Sequence, residues 1–284
     1  MEVNGRTRLY CIIGDPVEHS LSPVMHNTAF KSLGLNCIYV AFKVDAKALG
    51  EAITGLKALG VEGFNVTIPH KINVMRYLDE IDSTAREIGA VNTVKYSGGR
   101  LYGYNTDGAG VLSALEEAKV DLHGKRVALI GAGGAARAIA FALASRVEEI
   151  SIINRTAGKG IELAEALKKH FGITVRAKGL DRAVLKKELA EADILINATS
   201  IGMHPHLGSP VDSDLLRPGI VVFDIVYTPL ETRLLRDARL KGLKTVDGVG
   251  MLVHQGAKSL EIWLGVGPPI ELMRKAVLER LVRV

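Results

Sequence analysis

Val127-Ala128-Leu129-Ile130-Gly131-Ala132-Gly133-Gly134-Ala135-Ala136 is an apolar run that breaks into glycines and continues into an alanine-rich stretch. Such a run reads as strand, tight turn and helix, the local frame of a dinucleotide fingerprint. Gly131 permits the tight turn. Gly133 lets the backbone approach a pyrophosphate at the helix N-terminus, and Ala136 fills the third small position. A glycine-rich βα turn that binds nothing shows the same pattern, so the next strand sharpens the reading. Ser151-Ile152-Ile153 runs into Asn154-Arg155-Thr156, roughly 20 residues beyond the glycines, where ribose specificity is set. An acidic residue there would hold a 2′-hydroxyl. This chain carries Asn154, Arg155 and Thr156 with Lys159 close behind, donors suited to a 2′-phosphate. The expected cofactor is NADP rather than NAD. A Thr156 or Asn154 helix cap beside a solvated arginine is the plainer alternative, and capping by Thr156 is compatible with both.

Working outward, strands are predicted over 127–130, 150–153, 174–177, 194–198, 221–225 and 245–246, with helices over 135–144, 156–171, 182–190 and 230–241. Upstream, 9–13, 37–42 and 63–68 read as strands, and 23–33, 46–59 and 69–78 as helices. Two more strands, 90–95 and 101–104, flank the turn Ser97-Gly98-Gly99. A helix follows Asp107, and two amphipathic helices, 251–264 and 269–282, come last. Strand–helix alternation of this kind predicts parallel sheets in an α/β protein.

The chain has 284 residues, 48% hydrophobic and 24% charged, enough for one large domain or two of medium size. Its net charge is +5, with Lys and Arg interspersed among Glu, and aromatics are only 5%. That pattern disfavours a nucleic-acid partner and suits an anionic small substrate with a phosphorylated cofactor. Cys11 and Cys37 show no metal-ligand spacing, and His204 and His206, flanking Pro205, have no partner at zinc spacing, so no metal is expected. The segment 1–9 is polar and no apolar run approaches the roughly 20 residues that span a bilayer. A cytoplasmic protein without a membrane partner is the expectation.

Asn65-Val66-Thr67-Ile68-Pro69-His70-Lys71 alternates polar and apolar residues and stops at a proline. In a strand, Asn65 and Thr67 share one face and Val66 and Ile68 the other. Pro69 suits the first helical position, which places Lys71 in a first turn, where the helix dipole disfavours a cation and favours proton exchange. A solvated lysine at a helix start fits the same residues. Ser22 before Pro23 has the form of an N-cap, whereas Ser20 has no such structural excuse, and two hydroxyls one residue apart could hold a polyol or carboxylate. Asn92 stands alone in an apolar strand-like stretch, and a buried amide needs partners that a ligand could supply. Asp107 has the place of a helix cap or of a carboxylate partner for Lys71. Gln255, in the penultimate helix, reads equally well as surface.

Taken in order along the chain, Gly14-Asp15-Pro16, His19 through Pro23, Asn65 through Lys71, Gly89 through Thr93, Asn105-Thr106-Asp107-Gly108, the glycine turn, Asn154-Arg155-Thr156, Asp224-Ile225-Val226-Tyr227 and Asp247 through Gly256 resemble the shikimate dehydrogenase family over essentially the whole sequence. The resemblance implies two domains, a substrate-binding α/β domain (1–107 plus 249–284) and a Rossmann-like NADP-binding domain (108–248), with a cleft between them. It implies reversible NADPH-dependent reduction of 3-dehydroshikimate to shikimate, in the biosynthesis of chorismate and aromatic amino acids. Lys71 would be the acid/base residue and Asp107 its partner. Ser20, Ser22, Asn65, Thr67, Asn92 and Gln255 would hold the carboxylate and hydroxyls, with Tyr227 near both ligands. Gly131, Ala132, Gly133, Gly134, Ala135, Asn154, Arg155, Thr156 and Lys159 would carry the cofactor phosphates, and Thr199, Ile225, Gly248 and Met251 would line the nicotinamide. Lys159 stands where many members carry arginine, and Ser83 where an acid is often found. Competing readings are a quinate/shikimate dehydrogenase that accepts NAD as well, and a non-catalytic NADP-binding sensor. A homodimer is left open.

Overall fold

The computed structural model describes residues 3–282. Met1, Glu2, Arg283 and Val284, at the ends of the first predicted domain, lie outside the described residues. The chain divides into two compact units. One runs to Asp107 and resumes at Val253, and the other is Gly108–Leu252.

The first unit carries β1 (Arg8–Gly14), α1 (Ser22–Ser32), β2 (Cys37–Lys43), α2 (Leu49–Ala58), β3 (Gly63–Val66), β4 (Glu80–Ile81), α3 (Ser83–Ile88), β5 (Thr93–Ser97) and β6 (Arg100–Tyr104). Its sheet has the order β2-β1-β3-β5-β6-β4. The alternation predicts parallel pairing, and β1 pairs in parallel with both β2 and β3. The sheet as a whole is mixed, because β5 runs antiparallel to β3 and to β6. The reason is local: Gly98 and Gly99 both have positive φ and close a two-residue hairpin, which only antiparallel strands can use. The short β4 and α3 were not anticipated. Asp82 caps α3 by accepting from the Thr84 and Ala85 N–H groups, and Gly89 ends it in the left-handed conformation.

The segment around Lys71 differs most from expectation. No α-helix spans 69–78. β3 stops at Val66, the chain turns through 68–72 with a cis Ile68–Pro69 peptide, and only Asn73–Tyr77 forms a short 3-10 helix. The backbone here is held by distant partners. The Lys71 carbonyl accepts from Val91 N–H at 2.8 Å, and the buried His70 ring bonds the Val44 carbonyl at 2.7 Å. Groups engaged in this way cannot extend a helical ladder. Ile68, expected on the packed face with Val66, is 54% exposed. The helix-dipole argument for Lys71 therefore does not apply.

The second unit holds most of α4 (Asp107–Glu117), then β7 (Arg126–Ile130), α5 (Gly134–Ala144), β8 (Glu149–Asn154), α6 (Ala157–Phe171), β9 (Thr174–Gly179), α7 (Arg182–Glu191), β10 (Ile194–Asn197), β11 (Val221–Asp224), α8 (Arg233–Leu240) and β12 (Thr245–Val246). The order β12-β11-β10-β7-β8-β9 is parallel throughout, the doubly wound arrangement in which strand order reverses between β7 and β10. Ala128, Ile130, Leu195, Val222 and Leu235 belong to its buried core. The last helices are α9 (Gly248–Leu264) and α10 (Ile270–Val282). α9 is one continuous helix, so the return to the first unit, at Val253 rather than 249, falls inside it. Among the described residues no helix is long and apolar enough to cross a membrane.

His26 of α1 is fully buried, stacks on Tyr39 at 4.5 Å between ring centroids, and neither ring nitrogen has a hydrogen-bond partner. Burial lowers its pKa from 6.5 to about 3, so the folded protein holds it neutral. Its contribution to stability is therefore fully present above pH about 6.5 and is lost as pH falls towards 3. The loss is on the order of 5 kcal/mol. His26→Phe is expected to lower the pH at which the protein unfolds in acid. An unchanged acid-unfolding curve would show that other groups govern it.

Candidate functional site

In the first unit, Lys71 Nζ donates to Asp107 Oδ2 at 2.5 Å. Asp107 is the first residue of α4 and is buried, with 3% of its surface exposed. Its carboxylate does not cap the helix. Oδ2 faces Lys71, and Oδ1 accepts from Asn92 Nδ2 at 2.9 Å. A buried carboxylate held by one cation and one amide is compensated, and removal of either partner would leave it exposed to a low dielectric.

Asn92 lies in a bend just before β5 rather than inside a strand. Its Oδ1 accepts from the Thr106 N–H at 2.8 Å, which fixes the amide orientation so that Nδ2 points to Asp107, to the Thr106 hydroxyl and, at 3.3 Å, to Gln255 Oε1. Gln255 is thus half-buried and part of the group rather than free surface. Asn65 is joined to the same network. Its Nδ2 donates to the Asn92 carbonyl, Thr93 Oγ1 and Ser259 Oγ, and its Oδ1 accepts from the Tyr39 hydroxyl at 2.7 Å. Thr93, Thr106, Ser259 and Tyr39 were missed from sequence. Ser259 had a signal, since it follows Gln255 by four residues and so shares its helix face. Tyr39 had none, because its contact with Asn65 exists only once β2 and β3 are both paired with β1 between them.

No hydrogen bond among the described residues joins Ser20, Ser22 or Thr67 to this network. Ser22 is buried at the start of α1, and its N–H donates to Ser20 Oγ at 3.3 Å. The cap position belongs to Leu21, so the expected Ser22 cap is absent. Thr67 lies past the end of β3, packed against Gly14.

In the second unit, Gly131 ends β7 with φ +118°, and a Cβ there would come within 2.8 Å of the Ala198 carbonyl oxygen. Only glycine meets both demands. Gly133 precedes α5 in open space, where a Cβ would meet nothing within 4 Å. Ala132 and Ala136 are buried behind the turn, and Gly134 and Ala135 are half-buried. The cradle that a side chain would fill is the room a pyrophosphate needs at a helix N-terminus. Beyond β8, Asn154 Nδ2 donates to the Thr156 carbonyl at 2.8 Å. Thr156 occupies the N-cap position of α6, but its side chain caps nothing. Arg155 and Lys159 are both exposed and without an acidic partner among the described residues. Two free cations beside an open glycine turn fit a dinucleotide with an extra phosphate.

Thr199 follows β10 and Ile225 follows β11, both half-buried. Gly248 and Met251, on the first turn of α9, are buried, and Gly248 packs against the Ile225 carbonyl. Tyr227 is half-buried, and burial raises the pKa of its phenol. His204 and His206 are exposed in a loop.

The substrate-binding domain of shikimate dehydrogenase matches residues 12–94. The shikimate/quinate 5-dehydrogenase family matches residues 113–225, and the C-terminal domain of shikimate 5′-dehydrogenase matches residues 248–278. The chain is 50% identical to the shikimate dehydrogenase (NADP+) of Methanopyrus kandleri, covering 99% of this chain and 98% of that protein. A crystal structure of shikimate dehydrogenase in complex with NADP+ superposes with a TM-score of 0.90 at 48% identity, over 99% of this chain and 98% of that one. The shikimate 5-dehydrogenase of Listeria monocytogenes, in complex with shikimate and NAD, superposes at 0.87 with 40% identity, over 97% of this chain and 98% of that one. A match at this identity over almost the full length of both chains, on the same two-sheet framework, leaves one conclusion: this chain belongs to the shikimate dehydrogenase family.

Proposed function

We propose that the protein catalyses the reversible NADPH-dependent reduction of 3-dehydroshikimate to shikimate, on the way to chorismate and the aromatic amino acids. The observation that carries this reading is the half-buried Lys71 paired at 2.5 Å with the buried Asp107, which is tied through Asn92 to Gln255 and Asn65. NADPH, when bound, supplies the hydride. Lys71 supplies the proton to the oxygen of the reduced carbonyl and, as a cation, stabilises negative charge as it develops there. Asp107 holds the ammonium in place through Oδ2, and Asn92 holds Asp107 through Oδ1. In the reverse direction Lys71 takes the hydroxyl proton. Asn65, Thr67, Asn92 and Gln255 with Ser20 and Ser22 would recognise the ring substituents, and Tyr227 would meet the substrate as the hydride is exchanged.

The cofactor side rests on Arg155, Lys159, Asn154 and Thr156 beside the Gly131–Ala135 turn. Arg155→Ala removes one charge-assisted contact to the 2′-phosphate, which is worth roughly 1.5–3 kcal/mol. NADP+ affinity is therefore expected to fall about tenfold or more while NAD+ affinity stays the same, as measured by titration calorimetry. Equal losses for both cofactors would assign Arg155 a structural role.

The deciding experiment is a spectrophotometric assay of shikimate oxidation with NADP+ and with NAD+, with quinate as the alternative substrate. Fast reduction of NADP+ with shikimate alone is expected. Comparable rates with NAD+ or quinate would move the protein to the broader-specificity dehydrogenases. NADP+ binding without turnover would point to a sensor.

A further inference from the structure

β7, β8, β10 and β11 lie side by side in the second sheet, and Ile153, Ile130, Asn197 and Asp224 are in register across it. This row is apolar on β8 and β7 and becomes polar on β10 and β11, where strand order reverses. Asn197 and Asp224 have no exposed surface. A polar pair in a sheet core is costly unless every group is bonded.

Every group is bonded, and most of the bonds lead into the two loops that follow the strands. Asp224 Oδ1 accepts from Asn197 Nδ2 at 2.9 Å and from the Val226 N–H at 3.1 Å, and Oδ2 accepts from the Thr232 hydroxyl at 2.7 Å. Burial still raises the pKa of this carboxyl, to about 6, against the pull of those donors. Asn197 Nδ2 also donates to the Ile201 carbonyl at 2.9 Å. Its Oδ1 accepts from the Thr199 N–H at 3.1 Å and hydroxyl at 2.7 Å. The Asn197 carbonyl accepts from the Ile225 N–H at 3.1 Å. The carboxylate–amide pair thus holds Thr199, Ile201 and Val226, and the Asn197 main chain holds Ile225, at the carboxyl ends of the strands, where open α/β sheets hold their ligands. Apolar side chains could fill the same volume but could not fix two loops.

We propose that Asp224 and Asn197 are positioning residues for the nicotinamide end of the cofactor, acting through the loops that carry Thr199 and Ile225. This rests on the NADP-dependent reading above. The test compares NADP+ with adenosine 2′,5′-bisphosphate, which lacks the nicotinamide half, by calorimetry on the unaltered protein, Asp224→Asn and Asn197→Ala. Both variants are expected to bind NADP+ about tenfold more weakly, with a similar loss in kcat. Affinity for the bisphosphate should stay within about twofold, as should the shikimate KM. Equal weakening of both ligands, or unchanged NADP+ binding and kcat, would overturn the proposal. An unaltered protein that binds neither ligand would overturn the cofactor reading and the proposal with it. If the variants fail to fold, amide exchange in the unaltered protein decides. Slowing at Thr199 and Val226 by NADP+ but not by the bisphosphate supports the proposal, and equal slowing by both, or none, overturns it.

Discussion

Lys71→Ala is expected to lower kcat by about 10²–10⁴-fold, the usual contribution of a positioned acid/base group, while the shikimate KM changes much less. The split follows from Lys71's role. A group that gives up its proton only as the alkoxide forms acts on the transition state, and its loss appears in kcat. The same substitution has a second consequence. Asp107 is buried and its Oδ2 is bonded to Lys71, so the alanine variant leaves a carboxylate without its cation. Breaking one side of a buried pair costs about 3–5 kcal/mol. The two effects are separated by Asp107→Asn, which removes the charge but preserves the shape and the contact with Asn92. The double variant, Lys71→Ala with Asp107→Asn, should recover most of the thermal stability and none of the kcat. Single-turnover rates and melting curves on the three variants make the comparison. Near-normal kcat in Lys71→Ala would remove the acid/base assignment outright.

Gly248→Ala is expected to destabilise the second unit by about 3 kcal/mol, the cost of overpacking against groups that cannot rotate away. An added Cβ would overlap the Ile225 carbonyl oxygen and lie 2.6 Å from its carbon and 2.9 Å from the Val226 carbonyl carbon. All three atoms are backbone. The clash therefore moves either the start of α9 or the loop after β11, and that loop is held from behind by Asp224 through Val226 N–H. A methyl at Gly256 offers a contrast, since its nearest neighbour is the end of the Met25 side chain, which can swing aside. The melting temperature of Gly248→Ala should drop by roughly 6–12 °C, and that of Gly256→Ala by less. NADP+ affinity should fall only in Gly248→Ala. A Gly248 variant with unchanged melting and binding would mean that α9 can enter at another angle without cost.

What the chain determined on its own lies in features settled between near neighbours. Apolar runs alternating with helical periodicity at 127–246 specify a parallel sheet, because strands buried on both faces need apolar residues throughout. Gly131 marks the turn, because only glycine reaches its φ without strain. The proposal of a 2′-phosphate contact rests on Arg155 with Lys159, whose charges need no folding partner to be read. Asp107 could be offered as a partner for Lys71 from the residues, but a helix cap fitted it as well, and with 36 residues between the two only the fold shows the contact.

Tertiary structure decided the rest. A helix at 69–78 satisfies local rules, yet Val91 and Val44 compete for its backbone and for His70, and the chain turns instead. Asn65 reads as a polar residue free to bind. In the fold its amide is held by Tyr39, Thr93 and Ser259, the last of them 194 residues away. Asn197 and Asp224 look like ordinary strand ends until register puts them side by side. Propensity and charge act over a few residues and are legible in a sequence. The satisfaction of a buried donor or acceptor depends on whichever distant groups the packed core brings within 3 Å or so, and only the folded chain settles that.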